Sequence, residues 1–457
     1  MKTKVSSINN NRLRIAVVGT GISGMSAAWL LNQKHHVEIF EKANWIGGHC
    51  NTVNVPFRWR MQNRIVPVDT GFIVYNQTTY PNLTAMFQHL GVATEPSNMS
   101  FSASVDRGSF EYSGHSLRAM FAQKRNLLRP RFWNMVIDIM RFFREATHNG
   151  LQAQNNTLTI GKYLSNNGYS ESFMYDYLLP LGRSIWSASS KNMLDYPLTS
   201  FIRFFDNHGL LELNPKNRLK WRTVSGGSQA YVKRLTEDFK NNIRLKCSVA
   251  KIHRHPEYVE LKLANGSSER FDHVVIATHS DQAQAILSDS SHQEREILGA
   301  IQYESNTAVL HTDTALMPKR RKAWASWNYI ADDNNTESGL VSLTYWMNLL
   351  QNIDDRFPVF VTLNPHRKPK PEHFIKSFDY EHPIFSHAAL SAQKRLWDLQ
   401  GLNRTWFCGA YFGHGFHEDG VQAGLAVGEA LGGGKRPWSI KHESNRIIIT
   451  QAPRAAA

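Results

Sequence analysis

Three glycines near the start of the chain stand at the spacing that a dinucleotide site requires. Gly19, Gly21 and Gly24 form the pattern G-x-G-x-x-G between an apolar, strand-like run and a run with helical spacing. The first glycine permits a sharp turn, the second lets a pyrophosphate approach the backbone, and the third lets the helix pack against the strand. The N–H groups at the start of the helix favour phosphate oxygens. The pattern therefore predicts a dinucleotide site. Taken alone, a glycine motif is also compatible with an ordinary tight turn between a strand and a helix.

An acidic residue at the end of the next predicted strand favours the dinucleotide. Glu41 follows Gly24 by seventeen positions, where a carboxylate accepts hydrogen bonds from the ribose of adenosine. A carboxylate at this position also disfavours a 2′-phosphate, and therefore NADP. We expect Ser23, in the turn, and Lys42, beside the acid, to contribute to the same site.

A second glycine pair, Gly47 and Gly48, follows soon after the acid. A pair at this distance resembles the extended fingerprint of FAD proteins of the glutathione-reductase and amine-oxidase type. An arginine commonly follows the pair in those proteins, and this chain has His49 there. The resemblance implies backbone contacts to FAD from Gly48 and places His49 at the position of the arginine.

Two segments from the middle of the chain resemble further parts of that fingerprint. The run SVAKI, which includes Val249, looks like the strand whose backbone borders adenine. The run FDHVVIAT looks like the strand that follows it and closes at Ala277. Both resemblances imply that residues remote from the glycine motif belong to the same cofactor site.

The segment FCGAYFGHGFHEDGVQAGLAVGEAL resembles the last motif of the same proteins. Gly409 ends a predicted strand, and a helix is expected to begin near Gly420 and Val421, with its N–H groups directed at the flavin. The dipole of such a helix stabilises negative charge on the reduced ring. The combined features imply FAD as the cofactor. The sequence has no second glycine motif for NAD(P)H, which favours an oxidase or dehydrogenase whose substrate itself reduces the flavin.

The distribution of strand-like and helix-like runs predicts an α/β fold with a discontinuous Rossmann-type domain. Strand, turn and helix patterns occur at both ends of the chain and once in the middle, whereas residues from about 78 to 205 have mainly helical patterns. The predicted FAD-binding domain comprises residues 12–77, 215–290 and 395–435. The predicted substrate domain, an α+β insert of mixed sheet and helices, comprises residues 78–214 and 291–394, and a tail follows at 436–457.

Four longer segments look like one particular group of flavin proteins. They are VDTGFIVYNQTTYPNL, MSFSASVD, AQKRNLLRPRFWNMV and GAYFGHGFHEDG. Over about residues 12 to 430 the chain is similar to the flavin domain at the N-terminus of plant cyclopropane-fatty-acid synthases and to its free-standing bacterial relatives. The resemblance implies the amine-oxidase-like fold and places Thr70, Gly71 and Phe72 beside the isoalloxazine ring. The chain has no methyltransferase segment, so a separate lipid methyltransferase is a candidate partner.

No residue type marks the catalytic group by itself, because flavin oxidation depends mainly on positioning a C–H bond over the ring. His414 and His417, in the predicted loop before the last helix, are the candidates, and loop histidines bonded to backbone are the alternative. Glu418 and Asp419 are expected to cap that helix. The three cysteines lie far apart in sequence and offer no metal site.

The chain is strongly basic, with 52 Lys and Arg against 38 Asp and Glu, a formal net charge of +14. Candidate partners are an anionic membrane surface and an anionic small-molecule substrate, and a solvated basic surface is the alternative. The basic clusters at Lys124–Arg131, Lys319–Lys322 and Arg367–Lys370 are dispersed and carry no nucleic-acid motif, so we expect no nucleic acid. Without an apolar leader or a membrane-spanning run, we expect a cytoplasmic protein, and peripheral contact with the inner membrane face is left open.

The segment RPRFWNMVIDIMRFFREA predicts a helix with one continuous apolar face. That face comprises Phe132, Met135, Val136, Ile139, Phe142, Phe143 and Ala146. Trp133, Ile137 and Met140 extend the apolar character around the helix, which is then part of a core, lines an apolar channel or lies at a membrane surface.

We expect an FAD-dependent oxidoreductase that dehydrogenates an apolar substrate, such as a lipid acyl chain with a weakened C–H bond. Oxidation of an amine or a polyene is one alternative. A non-catalytic, flavin-bearing partner of a lipid methyltransferase is the other.

Overall fold

A computed structural model describes residues 12–59, 62–152, 158–186, 193–212, 214, 217–331, 342–441 and 443–450. The chain divides into two compact units. The first unit comprises Met1–Gly48, Val232–Gly299 and Ala392–Ala457, and the second comprises His49–Tyr231 and Ala300–Ser391.

The strands in the described residues are numbered along the chain. They are β1 (Arg14–Val18), β2 (His36–Phe40), β3 (Thr52–Trp59), β4 (Gln62–Asp69), β5 (Tyr75–Asn76), β6 (Thr94–Pro96), β7 (Phe101–Val105), β8 (Phe110–Ser113), β9 (Trp221–Val224), β10 (Ile243–Arg244), β11 (Val249–Arg254), β12 (Val259–Leu263), β13 (Ser268–Phe271), β14 (His273–Ile276), β15 (Gln302–His311), β16 (Trp327–Ile330), β17 (Ser342–Trp346), β18 (Phe360–Leu363), β19 (Phe374–Ile384) and β20 (Thr405–Phe407).

The α-helices in the described residues are numbered in the same way. They are α1 (Ile22–Leu31), α2 (Pro81–His89), α3 (Leu117–Met120), α4 (Pro130–Gln152), α5 (Ile160–Asn166), α6 (Glu171–Phe173), α7 (Leu179–Trp186), α8 (Leu198–Asn207), α9 (Gln229–Thr236), α10 (Ser280–Ile286), α11 (His292–Gly299), α12 (Met347–Leu350), α13 (His387–Gln393) and α14 (His417–Ala430). None of the helices in these residues is both long and apolar enough to cross a bilayer.

The first unit contains a five-stranded sheet in the order β10-β2-β1-β14-β20, and every neighbouring pair is parallel. Parallel sheets are covered on both faces, which explains why β1 and β14 are continuous apolar runs. All side chains of β14 and four of the five in β1 are buried. A second, antiparallel sheet of β11, β12 and β13 belongs to the same unit.

The second unit is built on a seven-stranded sheet in the order β19-β15-β18-β17-β16-β7-β8. A hairpin of β3 and β4 and a three-stranded sheet in the order β5-β9-β6 accompany it. The sheet packs on α4 through Phe132 and Met135, which lie in one buried cluster with Phe110, Tyr112 and Leu310.

The predicted apolar face of α4 is confirmed. Phe132, Met135, Phe142 and Ala146 are fully buried, and Val136, Ile139 and Phe143 are half-buried. The expectation that residues 78 to 205 are mainly helical is wrong for β6, β7 and β8. The short runs FSASV and FEYS are buried at nearly every position, so they show neither the alternation of a half-exposed strand nor a helical period.

The borders of the compact units differ from those predicted for the two domains. The prediction places residues 49–77 in the FAD-binding domain together with 12–48, but they belong to the second unit. The reason is visible at Asp69, whose backbone N–H donates to Oε1 of Gln351 at 2.9 Å, and at β5, which pairs with β9. The prediction begins the middle segment of the FAD-binding domain at residue 215 and ends it at 290. The corresponding segment of the first unit runs from Val232 to Gly299.

The first part of the predicted tail at 436–457 packs on two helices of the first unit. Trp438 stacks on Trp29 of α1 with ring centroids 5.8 Å apart, and the Arg446 N–H donates to Oε1 of Gln422 in α14 at 3.0 Å. Residues 436–441 and 443–450 therefore contact α1 and α14 and belong to the first unit. Residues 451–457 lie outside the described part of the chain.

Candidate functional site

Four loops meet at the carboxyl edge of the five-stranded sheet, because parallel strands end on the same side. Gly19 follows β1, Glu41 follows β2, Ala277 follows β14, and Gly409 comes two residues after β20. The Gly19 N–H donates to the Phe40 carbonyl at 2.8 Å. The Ala277 N–H donates to the Val18 carbonyl at 2.9 Å. The structure thus brings together four features predicted from segments hundreds of residues apart.

Two glycines of this loop are required by the packing of the protein itself, and the third, Gly21, is not. Gly19 has φ +104°, and a Cβ there would lie 2.9 Å from the Ala277 carbonyl oxygen. A Cβ on Gly24 would come well under 3.0 Å from the Gly19 carbonyl oxygen. A Cβ on Gly21 would meet no atom within 4 Å. Gly21 therefore borders open space at the start of α1, where the second glycine of the motif admits a pyrophosphate.

The start of α1 has the properties of an anion site. Gly21 is its N-cap, with no side-chain cap, and the residues from Ile22 onward, including Ser23, are buried. The first N–H groups of a helix have no partners within the helix and carry the positive end of its dipole. An uncapped, glycine-lined helix start fits the pyrophosphate of FAD.

Glu41 holds the glycine loop in place. Its Oε2 accepts hydrogen bonds from the Thr20 N–H at 2.9 Å and the Thr20 hydroxyl at 2.6 Å, and its Oε1 accepts one from the Ala43 N–H at 2.8 Å. A carboxylate has about four acceptor positions. Oε1 accepts the Ala43 N–H, so it can accept a further hydrogen bond from a ribose hydroxyl. Lys42, the next residue, is exposed. Ribose binding by Glu41 stays a prediction.

Replacing Glu41 by glutamine is expected to weaken FAD binding about tenfold, which is about 1.4 kcal/mol. The amide supplies one acceptor in place of two charged oxygens, and Glu41→Lys, which removes both, should abolish binding. Titration of apoprotein with FAD measures the effect, and Glu257→Gln, an exposed acid of the same unit, is the control. Thr20→Val removes the hydroxyl that donates to Glu41 and accepts the Gly47 N–H at 3.2 Å, so it measures the loss of loop contacts while the carboxylate stays. An equal loss in Thr20→Val and Glu41→Gln would contradict a ribose contact.

Two further predicted contacts lie beside this loop. The Cys247 N–H, two residues before Val249 and β11, donates to the Glu41 carbonyl at 2.8 Å. Gly48 has φ +57°, and a Cβ there would lie 3.3 Å from the Cα of Gly21. Both positions are consistent with the predicted cofactor contacts, which stay predictions.

The last helix begins earlier than predicted. α14 starts at His417, not near Gly420, because Asp419 caps it: Oδ2 of Asp419 accepts the Phe416 N–H at 2.7 Å. The expected capping role of Asp419 is confirmed, whereas Glu418 binds the Gln422 amide at 2.9 Å. The Gly420 N–H already donates to the Phe416 carbonyl at 3.1 Å, so it does not point at a ligand.

Gly420 has a different role, which the sequence analysis missed. It lies with Gly424 and Gly428 on one face of α14, and Cβ atoms there would collide with or crowd α1. A Cβ on Gly420 would lie 2.7 Å from Cγ2 of Ile22, and one on Gly424 well under 3.0 Å from the Ser23 carbonyl oxygen. The starts of α1 and α14 are therefore side by side. The signal was the small-residue spacing G-x-x-x-G-x-x-x-G, known for close helix packing.

The predicted catalytic candidates both lie at this end of α14. His414 is half-buried in the loop after Gly413, and His417 is the first residue of the helix. Burial lowers the pKa of His417 to about 3. Its imidazole is therefore neutral at pH 7 and a weak base, which argues against proton abstraction by His417. Among the described residues, no group of three or more His, Cys, Asp or Glu is arranged to hold a metal ion.

The turn Thr70-Gly71-Phe72 lies in the second unit and is fixed to the segment around His49. The Phe72 N–H donates to the His49 carbonyl at 2.8 Å, and the Thr70 N–H donates to the Asn51 carbonyl at 3.0 Å. A Cβ on Gly71 would come well under 3.0 Å from the His49 carbonyl oxygen. The His49 ring stacks on Tyr380, with centroids 4.7 Å apart. Flavin contacts from these residues stay predictions.

Asp69, next to that turn, is a buried carboxylate that the sequence analysis did not single out. It accepts hydrogen bonds from the Ser228 N–H at 2.9 Å, the Thr52 hydroxyl at 2.5 Å and the Gln351 amide at 2.9 Å. Burial raises the pKa of Asp69 to about 6. The signal in the sequence was Gly226-Gly227 before α9, since Gly227 has φ +88° and turns Ser228 toward Asp69.

The ionisation of Asp69 predicts a pH-dependent stability. The pKa of this carboxyl is about 6 in the folded protein, against 3.8 for an ordinary aspartate such as that of the unfolded chain. The folded state therefore holds the proton more tightly, and the free energy of unfolding falls as the pH rises from about 4 to about 6, by on the order of 3 kcal/mol. Relative to Asp69→Asn, which does not ionise, the wild type should lose this stability in urea titrations across that range. A pH-independent difference between the two proteins would contradict the assignment.

Comparisons with known proteins agree with the fold and with a flavin cofactor. Residues 22–362, about three quarters of the chain, match the family described as flavin containing amine oxidoreductase. No protein among the curated sequences compared with the chain matches it significantly. The narrower resemblance to the flavin domain of plant cyclopropane-fatty-acid synthases stays a prediction.

Three solved structures show the same fold at low identity. The CLA-producing fatty acid isomerase from P. acnes has 15% identity and a TM-score of 0.62, covering 93% of this chain and 99% of that one. Cyclohexylamine oxidase from Brevibacterium oxydans IH-35A has 14% identity and a TM-score of 0.64, covering 92% and 98%. Putrescine oxidase bound to putrescine has 13% identity and a TM-score of 0.61, covering 91% and 98%.

The geometry alone does not identify the cofactor, and the family match does. The glycine loop, the uncapped start of α1 and the adjoining start of α14 suit FAD, and flavin is the cofactor of the matched family. The chain belongs to the family of flavin containing amine oxidoreductases, and it is an FAD-dependent oxidoreductase with the amine-oxidase-like fold.

Proposed function

We propose that the protein dehydrogenates an apolar substrate, the acyl chain of an unsaturated or methyl-branched phospholipid. The net step removes one hydride and one proton from neighbouring carbons and leaves a new carbon–carbon double bond. When bound, FAD supplies the acceptor for the hydride, and the proton passes to water. The C–H bond must be allylic or similarly weakened, because an unactivated methylene is a poor hydride donor.

The observation that carries the proposal is the state of the buried acids. The described part of the second unit has five buried carboxylates, and each accepts hydrogen bonds from the protein: Asp69 from Ser228, Glu111 from Arg320, Asp138 from Ser170, Asp176 from Arg131 and Asp313 from Ala315. A buried ammonium needs a paired charge. In the described part of the second unit, a cationic amine would therefore meet no fully buried carboxylate that lacks hydrogen bonds from the protein, whereas an acyl chain needs no carboxylate.

Charge and fold support the same choice. The net charge of +14 disfavours cationic substrates and favours anionic ones. A fatty acid isomerase shares this fold, so the fold accommodates acyl chemistry in at least one protein. With that protein 15% identical, the comparison supports the fold and leaves the substrate to experiment.

The residues of the chain act by binding and positioning. The start of α1 and the glycine loop bind the pyrophosphate, and Glu41 fixes the loop through Thr20. The start of α14 carries a partial positive charge, which stabilises negative charge near it. The neutral His417 at that start neither adds a charge nor serves as a strong base at pH 7. Positioning of this kind supplies much of the rate enhancement in bimolecular steps.

Anaerobic mixing tests the proposal directly. FAD-loaded protein is mixed with a cis-unsaturated phosphatidylglycerol in detergent, with putrescine or cyclohexylamine, or with a carotene, and the flavin absorbance is followed. The proposal predicts bleaching by the phospholipid alone, with one double bond formed per flavin reduced. Bleaching by an amine or by the carotene in preference to the phospholipid overturns it. Bleaching by none of the three also overturns it, and co-purification of a lipid methyltransferase would then favour a non-catalytic partner.

A further inference from the structure

The outer face of α4 exposes apolar side chains that the fold does not cover. Trp133, Ile137 and Met140 are spaced by four and three residues, so they form one stripe along the helix. Their exposed fractions are 41%, 62% and 36%, while Phe132 and Met135 on the inner face are at 0%. The sequence pattern places seven other apolar residues of this helix on one face, and these three extend the apolar character around it. The structure buries the first set wholly or partly and leaves the three as an exposed stripe.

The turn before α4 extends the stripe into a patch. Leu127 and Leu128 are 47% and 88% exposed. The indole N–H of Trp133 donates to the Leu127 carbonyl at 2.9 Å, which holds the turn against the start of the stripe. We call Leu127, Leu128, Trp133, Ile137 and Met140 the α4 patch. Large contiguous apolar patches are rare on monomeric proteins and mark interaction sites.

Basic side chains from two separate clusters converge beside the patch. Arg125 and Arg129 both donate to the Ser109 carbonyl, Arg129 at 2.8 Å. Arg320, from the cluster at Lys319–Lys322, donates to the neighbouring Gly108 carbonyl at 3.1 Å. Burial first, then the proximity of Arg125, Arg131 and Arg320, lowers the pKa of Arg129. The clusters that look dispersed in the sequence are adjacent in the structure.

Part of this charge is not neutralised by the protein. Arg131 and Arg320 are paired with Asp176 and Glu111. In the part of the chain that the structure describes, Lys124, Arg125 and Arg129 form no ion pair with a carboxylate. The patch is therefore bordered by exposed positive charge.

We propose that the α4 patch and its basic border dock on the surface of an anionic phospholipid bilayer. Apolar side chains with a tryptophan enter the boundary between headgroups and acyl chains, and Lys and Arg beside them contact anionic headgroups. A second copy of the chain is a poorer occupant, because association through this face would bring the positive borders of two molecules together. Docking would bring the protein to the phospholipid named under the proposed function. The docking proposal is tested by vesicle binding and the proposed function by flavin reduction, so each can fail without the other.

Vesicle flotation of the FAD-loaded protein tests the apolar part. The protein is expected to float with vesicles of phosphatidylcholine containing about 30% phosphatidylglycerol, and the double variant Leu128→Ser with Ile137→Ser should bind about tenfold more weakly. The matched control is Ile65→Ser with Phe374→Ser, which removes side chains of the same unit that are 71% and 48% exposed. The control should bind like the wild type, and the flavin spectrum shows that each variant is folded.

A second variant tests the charge. Lys124→Glu with Arg125→Glu should bind the anionic vesicles at least about tenfold more weakly, and high salt should weaken the wild type in the same direction. Equal binding of wild type and both double variants would overturn the proposal. So would equal binding of the wild type to vesicles of phosphatidylcholine alone. A wild-type dimer in solution that becomes a monomer in Leu128→Ser with Ile137→Ser would assign the patch to self-association and overturn it as well.

Discussion

Replacing Gly21 by alanine is expected to weaken FAD binding about a hundredfold, or about 2.7 kcal/mol, without destabilising the apoprotein. A Cβ at Gly21 meets no atom within 4 Å, and the residue has φ −59°, which any residue adopts. The added methyl group therefore costs the protein nothing in packing or strain. It occupies the space in which the backbone must approach the pyrophosphate, so its whole effect falls on the cofactor.

Two measurements separate these effects. Fluorescence titration of the apoprotein gives the FAD affinity, and urea denaturation without FAD gives the free energy of unfolding, which should change by less than about 0.5 kcal/mol. Gly114→Ala is the matched control, since Gly114 is exposed and a Cβ there also meets no atom within 4 Å. An unchanged FAD affinity in Gly21→Ala would show that the open space beside this loop is not the cofactor site.

Replacing Gly424 by alanine is expected to destabilise the protein by about 3 kcal/mol. Alanine is the better helix former by about 1 kcal/mol, so propensity alone would raise the stability. The Cβ would lie well under 3.0 Å from the Ser23 carbonyl oxygen, which is backbone and does not yield. α14 must then move away from α1, and the two helix starts that border the cofactor site separate.

Gly428 provides the control within the same helix. Its Cβ would lie 3.2 Å from Cβ of Leu30, a contact that a small shift relieves. Gly428→Ala should therefore cost less than about 1 kcal/mol in urea denaturation, and FAD affinity should follow the same order as stability. Equal stability of the two variants, or a gain in Gly424→Ala, would contradict direct packing of α14 on α1 at this point.

The cofactor end of the first unit was predictable because its signals are local. Glycine spacing after β1, an acid after β2 and glycines after β20 each depend on a few neighbouring residues. Parallel strands then bring their ends to one edge without further information. The predictions that four such loops meet, and that Asp419 caps the last helix, are confirmed.

The differences from the prediction have two causes, one local and one distant. The start of α14 moves from Gly420 to His417 because the Asp419 carboxylate reaches back to Phe416. The border of the first unit moves from residue 77 to 48 because Asp69 bonds to Gln351, 282 positions along the chain. The first contact spans three residues and the second spans 282, and neither partner can be identified from periodicity. The same limit applies to the basic residues at Lys124–Arg131 and Lys319–Lys322, which converge on one turn only after folding.

The central claim is that the glycine loop and the adjoining helix start bind FAD through its pyrophosphate and adenosine. Parallel titrations of apoprotein with FAD and with FMN, which lacks the adenosine half, test it most directly. FAD is expected to bind and to restore the yellow flavin spectrum, with FMN binding at least about a hundredfold more weakly. A protein that stays colourless with FAD, or that binds FMN as tightly, would contradict it.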